Sequence, residues 1–136
     1  MNYLLLIFSA LLITDKATAQ NDYALDFDLF AISVGLNDTA SVKTFFETDS
    51  AFRSNQWQLF EENFQYGISK YNYSDCTDSF IAGEKVKELK MEYTWTYKEE
   101  DGTTSQVTTT TYIFFKETEK GLKFIEIFNP EGGESE

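Results

Sequence analysis

The side chains that could carry out chemistry in this chain are mainly carboxylates, because the sequence has 23 acidic residues and no histidine. Asp22, Asp26 and Asp28 are close enough in sequence to surround a hard cation, which takes several oxygen ligands. Their spacing matches no calcium-binding loop, and aspartates also suit the first turn of a helix electrostatically. The sequence therefore predicts a helix start at this place and no metal site.

Paired carboxylates occur at Glu61-Glu62 and in the acidic run 99–101. A glycosidase needs two carboxylates on opposite sides of its substrate, whereas adjacent acids on a helix or at a hairpin tip are usually solvated. The absence of histidine removes the commonest general base and the triads that depend on imidazole. These observations favour a non-enzymatic protein over an enzyme, and they indicate no cofactor.

Aromatic side chains offer a second kind of chemistry, the binding of an apolar ligand. The chain contains 13 Phe, 8 Tyr and 2 Trp. Tyr93, Trp95 and Tyr97 alternate with polar residues, so on a strand they would share the face that meets the helices, with Trp57 opposite. These four residues are the candidate walls of a pocket for a small apolar molecule. The alternative is that the same rings fill a solid core.

Three further positions are candidates for modification or covalent bonding. Asn37 and Asn72 each begin an Asn-X-Ser/Thr triplet, the acceptor pattern for N-glycosylation in organisms that modify exported proteins in this way. Cys76 is the only cysteine, so no disulfide can form within the chain. We expect a buried and inert thiol, the alternative being a bridge to another molecule.

The charge balance restricts the partners. The formal net charge is −12 at pH 7. An acidic surface repels the phosphates of nucleic acids and of anionic membranes, so the sequence predicts neither as a partner.

The first 19 residues have the layout of a secretory signal peptide. Residues 4–13 are apolar, and small residues precede a cleavage site after Ala19. The apolar run is too short to span a bilayer, although a buried or anchoring helix is the alternative. The sequence thus predicts a secreted or periplasmic protein with no membrane contact after cleavage. Residues 20–130 would form a single domain, followed by a disordered acidic tail, 131–136.

Helical patterns dominate the first half of the domain. Tyr23, Phe27, Phe30 and Val34 share one helical face and favour a helix ending at Gly35, although residues 25–29 also alternate as a strand would. A second short helix would begin at residues 37–39.

The third helix would carry Trp57, Phe60 and Phe64 on one face. Ser54 or Asn55 would cap its start, and a left-handed Gly67 would end it.

Strand patterns take over from Val86. Alternation over residues 89–97, a turn at Asp101-Gly102, a threonine-rich run at 106–116, a turn at 119–121 and a last run at 122–128 predict a three-stranded antiparallel meander. The expected fold class is therefore α+β, with N-terminal helices packed on a curved antiparallel β-sheet.

Residues 86–129 resemble the NTF2-like superfamily, including its SnoaL-like and ketosteroid-isomerase-like branches. The resemblance rests on the strand 90–97 with its central aromatics, the Asp101-Gly102 hairpin, and the runs 111–115 and 119–128. It implies a cone of curved sheet, an internal pocket and frequent dimerisation. The superfamily includes enzymes and binding modules, and the inward positions 89–97 contain no acid, so no catalytic residue is assigned.

The leading hypothesis is a secreted, non-enzymatic NTF2-like domain that binds a small apolar ligand or a protein partner through the aromatic pocket. The threonine-rich outer face of the sheet is the expected surface for a homodimer. A pocket enzyme of isomerase or lyase type, using a buried Asp or Tyr, is the second hypothesis. A cystatin- or lipocalin-like secreted binding protein is the third, and a strand at residues 25–34 would favour it.

Overall fold

The structure is a computed structural model that describes residues 22–130. The signal peptide predicted at residues 1–19 and the tail predicted at 131–136 lie outside these residues. Between residues 22 and 130, no helix has the length and apolar character needed to cross a bilayer.

The first helix, α1, comprises Tyr23–Gly35. The side chain of Asp22 accepts a hydrogen bond from the backbone N–H of Leu25 and caps its start. Phe27, Phe30 and Val34 are buried on one face, so the helical interpretation of this segment is confirmed and the strand is excluded.

A second apolar stripe runs along the opposite side of α1. Its members, spaced as on a helix, are each close to half exposed or more: Leu25, Leu29, Ile32 and Leu36.

Three shorter helices follow, α2 (Thr39–Lys43), α3 (Asp49–Leu59) and α4 (Glu62–Gly67). The Asp38 side chain caps α2 through the N–H of Ser41, in line with the predicted start. The prediction of one helix capped at Ser54 or Asn55 is wrong, because Thr48 caps α3 earlier in the chain. Asn55 lies inside α3, where its side-chain amide donates to the carbonyl of Ala51.

Gly67 does not end its helix in a left-handed conformation, since its φ is −71° and a 3₁₀ turn, Ile68–Lys70, continues the chain. A Cβ atom at this position would lie 2.9 Å from Cε of Met91 on the sheet. Gly67 therefore packs close to the sheet, where a Cβ atom would displace only the flexible end of the Met91 side chain, and the predicted left-handed C-terminal stop is wrong.

The second half forms one antiparallel sheet of four strands in the order β1 (Thr77–Ile81), β2 (Glu84–Lys98), β3 (Thr104–Thr118) and β4 (Gly121–Phe128). The predicted three-stranded meander is wrong by one strand, because β1 pairs with the beginning of β2 through a two-residue turn. Both turn residues, Ala82 and Gly83, have positive φ, which matches the right-handed twist of a tight hairpin.

The core lies between the helices and one face of the curved sheet. Phe30 of α1, Phe115 of β3 and Phe124 of β4 meet with ring centroids 5.4–5.6 Å apart. Leu89 and Met91 of β2 and Ile113 of β3 belong to the same buried cluster. The α+β fold with helices packed on a curved antiparallel sheet is therefore as predicted.

The hairpin formed by β2 and β3 extends past both neighbouring strands. β1 pairs with β2 only as far as Glu88, and β4 pairs with β3 only as far as Tyr112. The β2–β3 pairing itself continues to Lys98 and Thr104. We call this two-stranded part, residues 93–98 and 104–110, the ribbon.

Candidate functional site

The four predicted pocket residues separate into two groups. Trp57 lies in the last turn of α3 and is 67% exposed, whereas Tyr93 of β2 is half-buried. Trp95 and Tyr97 lie further along the ribbon and are 49% and 47% exposed. Trp57 and Tyr93 lie at a common cavity, whose lining does not include Trp95 or Tyr97.

That cavity is a groove of about 280 Å³ between the α3–α4 junction and the helix-covered face of the sheet. Residues from α3, α4 and three strands line it, so it forms only when these elements pack together. Its lining consists of Trp57, Gln58, Glu61, Phe64, Tyr93, Thr111, Ile127 and Asn129.

The groove opens where the third predicted helix is broken in two. α3 ends at Leu59, and Glu61 has an extended backbone before α4 begins. The break directs Trp57 to the mouth, while Phe64 is only 3% exposed and forms part of the floor. In a continuous helix, Trp57 and Phe64 would lie on the same face. The break between α3 and α4 therefore accounts for the exposed position of Trp57 and the buried position of Phe64.

The sheet side of the groove combines apolar and neutral polar groups. The hydroxyl groups of Tyr93 and Thr111 lie 3.3 Å apart and form a hydrogen bond. Thr111 is buried, and Ile127 adds an aliphatic surface beside it. Hydrogen-bonding groups within an apolar wall are typical of sites that orient a small ligand.

Trp95 and Tyr97 lie on the ribbon and do not line the groove. The indole Nε1 of Trp95 donates a hydrogen bond of 2.9 Å to Oγ1 of Thr109 on β3. Tyr97 is the cross-strand partner of Ser105, close to the hairpin tip. Both rings are close to half exposed, so they form an aromatic surface next to the groove.

The carboxylate candidates have structural partners. Asp22 caps α1, and Asp26 accepts a hydrogen bond of 2.8 Å from the backbone N–H of Leu122. In the part of the chain that the structure describes, no group of three or more potential ligands could hold a metal ion.

Among residues 22–130, three carboxyl groups have lowered pKa values, and none of them lines the groove. Hydrogen bonds from Ser41 lower the pKa of Asp38, and hydrogen bonds from Thr103 lower that of Asp101. Lys87 and Lys85 lower the pKa of Asp78 by the same means. Glu61 is the one carboxylate among the groove residues.

The modification candidates have different environments. Cys76 is partly buried against the core, and this burial raises the pKa of its thiol to about 11. Asn37 and Asn72 are both exposed. The N–H of Asn72 also donates to the side chain of Asp75 in a 3₁₀ turn, Tyr73–Asp75.

A larger cleft of about 560 Å³ lies near the β3–β4 turn. Its lining is mostly charged and includes Glu47, Lys120 and Lys123. The groove instead has three aromatic residues and a single charged one in its lining, so it is the better candidate for binding an apolar molecule.

Comparison of the chain with protein-family models, curated proteins and solved structures finds no match.

Several groove residues were not expected from the sequence. Gln58, Thr111, Ile127 and Asn129 line the groove, although nothing in their local pattern distinguishes them from neighbouring residues. Thr111 in particular belongs to a run of threonines. Only the register of β3 against β2 and β4 selects this threonine for the buried face.

Proposed function

We propose that this protein is a secreted, non-enzymatic binding domain that holds a small apolar molecule in the groove between the α3–α4 junction and the sheet. The NTF2-like resemblance and the predicted export belong to the same proposal. The observation that supports it is the convergence of Trp57, Phe64 and Tyr93 from three separate elements on one cavity.

The chemistry of the lining indicates the kind of ligand. Phe64 and Ile127 offer apolar surface, while Trp57 and Tyr93 offer the faces or edges of two rings. Gln58 and Asn129 add neutral hydrogen-bonding groups. With no Lys or Arg in the lining, a neutral molecule with a flat apolar body suits the groove better than an anion.

A neutral fluorescent probe, N-phenyl-1-naphthylamine, tests this proposal by titration into the full chain. We expect saturable binding that Trp57→Ala weakens at least about tenfold, because the change removes a ring from the mouth of the groove. Trp95→Ala is the matched control, since it removes the same side chain from outside the groove, and we expect a change of less than about twofold.

A second matched pair uses the same strand. Tyr93→Ala should weaken probe binding as Trp57→Ala does, and Tyr97→Ala should not. Equal losses in Trp57→Ala and Trp95→Ala would place the site on the ribbon and overturn the groove. Absence of saturable probe binding by the unsubstituted chain would overturn it as well. Native mass spectrometry of the isolated protein would then identify any ligand that is retained.

A further inference from the structure

The lining of the groove contains one charged side chain, that of Glu61. This residue lies between α3 and α4, is exposed, and makes no side-chain hydrogen bond that caps α4. Asp22 and Asp38, by contrast, each cap a helix through such a bond. The carboxylate of Glu61 is therefore not used to begin its helix, and it remains accessible at the groove.

Within residues 22–130, no basic residue forms an ion pair with this carboxylate. The ion pairs in this range join lysines to other acids, for example Lys85 and Lys87 to Asp78. Outside the range, the sequence has a single basic residue, Lys16, which belongs to the predicted signal peptide. An unpaired exposed acid is ordinary in a chain with a net charge of −12, so this observation alone indicates no ligand.

The aromatic rings in the same lining give the carboxylate a different meaning. Trp57, Phe64 and Tyr93 line the cavity together with Glu61, and Trp57 is 67% exposed at its mouth. The face of an aromatic ring has a negative electrostatic potential and attracts cations, that of tryptophan most strongly. The larger cleft near the β3–β4 turn also combines acids with a ring, Phe46, but its lining includes two lysines. The groove thus joins rings and a carboxylate without a competing cation.

The number of carboxylates indicates which kind of cation suits the groove. A hard metal ion takes six or more oxygen ligands, often from several carboxylates, whereas Glu61 is the single acid in the lining. An organic ammonium ion needs one charged acceptor and an apolar surface for the rest of the molecule. The volume of about 280 Å³ is at the lower end of the range for small-molecule sites.

We propose that the ligand of the groove is a small organic cation, an amine that is protonated at neutral pH and attached to a flat apolar body. The body occupies the groove as in the proposed function, on which this assignment rests, and Glu61 selects the charge. The ammonium group donates hydrogen bonds to the carboxylate of Glu61, and the rings of Trp57 and Tyr93 attract it electrostatically. Hydrogen bonds between charged groups are stronger than neutral ones, so the amine binds more tightly than a neutral molecule of the same shape.

Competition by three molecules with the same phenylbutyl body tests this assignment. Phenylbutylamine is a cation at neutral pH, phenylbutanol is neutral and phenylbutyrate is an anion. Each is titrated against N-phenyl-1-naphthylamine bound to the full chain, at low ionic strength, where an exposed ion pair is screened least. We expect the amine to bind at least about fivefold more tightly than the alcohol, and phenylbutyrate to bind least tightly. Trp57→Ala should weaken the binding of both the amine and the alcohol, which assigns them to the groove.

The possible results distinguish the charge of the ligand from the existence of the site. Equal affinities for the amine and the alcohol would overturn the selection of a cation and leave the groove as a site for neutral molecules. Tighter binding of phenylbutyrate, or a bound probe that none of the three molecules displaces, would overturn it as well. If the probe itself does not bind, the proposed function fails and the assignment of a cation fails with it.

Two neighbouring acids provide a matched pair of variants. Glu61 and Glu62 are both exposed and lie next to each other at the start of α4, but only Glu61 lines the groove. Glu61→Gln and Glu62→Gln therefore remove the same charge from adjacent positions. In Glu61→Gln, we expect the amine and the alcohol to bind with affinities within about twofold of each other. In Glu62→Gln, the ratio of the two affinities should stay within about twofold of its original value.

The ratio of affinities also controls for damage to the fold, because a loss of folded protein affects the amine and the alcohol alike. An equal fall of the ratio in both variants would show that the amine is attracted by the net negative charge of the whole protein. That result would overturn the role of Glu61.

Discussion

Individual side chains connect the helices to the sheet at few but specific points. Asp26 in the first turn of α1 accepts a hydrogen bond from the N–H of Leu122, a buried residue at the start of β4. The preceding residue, Gly121, has a φ of 107°, and a Cβ atom there would lie 2.6 Å from Oδ2 of Asp26. An acid that looks like a metal ligand in the sequence is therefore a structural acceptor.

We expect Asp26→Ala to lower the free energy of unfolding by about 1–3 kcal/mol, because it leaves the N–H of Leu122 without its acceptor. Asp26→Asn retains one side-chain carbonyl oxygen as an acceptor, so it should lower the free energy of unfolding by less than Asp26→Ala does. Asp28→Ala, at an exposed position of the same helix, should stay within about 0.5 kcal/mol. Urea unfolding followed by circular dichroism measures all three, and equal losses for Asp26→Ala and Asp28→Ala would contradict the structural role.

Cys76 should react slowly in the folded protein. Burial raises the pKa of the thiol to about 11. At pH 8 the thiolate fraction is then smaller than in the unfolded chain by roughly 100-fold, and alkylation by iodoacetamide should be slower by a similar factor. The comparison of native with urea-unfolded protein measures this ratio. Equal rates in the two states would show that the thiol is exposed.

The same thiol makes stability depend on pH in a defined direction. A folded-state pKa above the unfolded value means that the folded state disfavours the thiolate, so the stability contributed by the protonated thiol is fully present below about pH 8.5. It should be lost as the pH rises towards the folded value of about 11. Cys76→Ser serves as a control, since the serine hydroxyl does not titrate in this range.

At the scale of elements, the turn residues determine which strands can pair as hairpins. The β1–β2 hairpin turns on Ala82 and Gly83, with φ values of 51° and 82°. Alanine at a left-handed position carries a steric cost of about 1 kcal/mol, which Asn or Gly avoids. A search for Asn-Gly or Asp-Gly pairs therefore misses this turn. It also misses β1, the strand that precedes the turn.

We expect Ala82→Asn to raise the free energy of unfolding by about 0.5–1 kcal/mol, since asparagine adopts the left-handed conformation more readily. Gly83→Ala should lower it by about 1 kcal/mol or more, because it places a Cβ atom at a positive φ. Urea titrations of the two variants give opposite shifts of the midpoint. A loss of stability in Ala82→Asn would contradict the left-handed turn.

The sequence predicts the hairpin between β2 and β3 correctly, but not the length of its loop. Asp101-Gly102 predicts a tight turn, and the hairpin is there, but residues 99–103 form a five-residue loop. Gly102 has a φ of 86°, and Asp101 accepts hydrogen bonds from both the N–H and the hydroxyl of Thr103. The glycine marks the turn correctly, while the aspartate stabilises a longer loop than the two-residue form.

In the whole molecule, the core and the proposed binding groove occupy different parts of the sheet. Phe30, Phe115 and Phe124 pack where β4 flanks β3 and the helices cover the sheet. The groove opens at the border of this region, where Tyr93 begins the ribbon.

The sequence by itself determined the fold class and the content of the core. The apolar period of α1 changes to the alternation of β2 and β3, and these two periods predict helices packed on a half-buried sheet. Phe27, Phe30 and Val34 are buried as their spacing predicts. Patterns of this kind are local, so they can be recognised without knowing which elements meet.

Tertiary structure alone decided where the site lies and what it contains. Trp57 and Trp95 are both pocket candidates in the sequence, yet Trp57 lines the groove and Trp95 lies on the ribbon outside its lining. The register of β3 buries Thr111 at the groove and leaves Thr108 exposed. Strand register, strand length and the break between α3 and α4 depend on packing between distant segments, which no local pattern records.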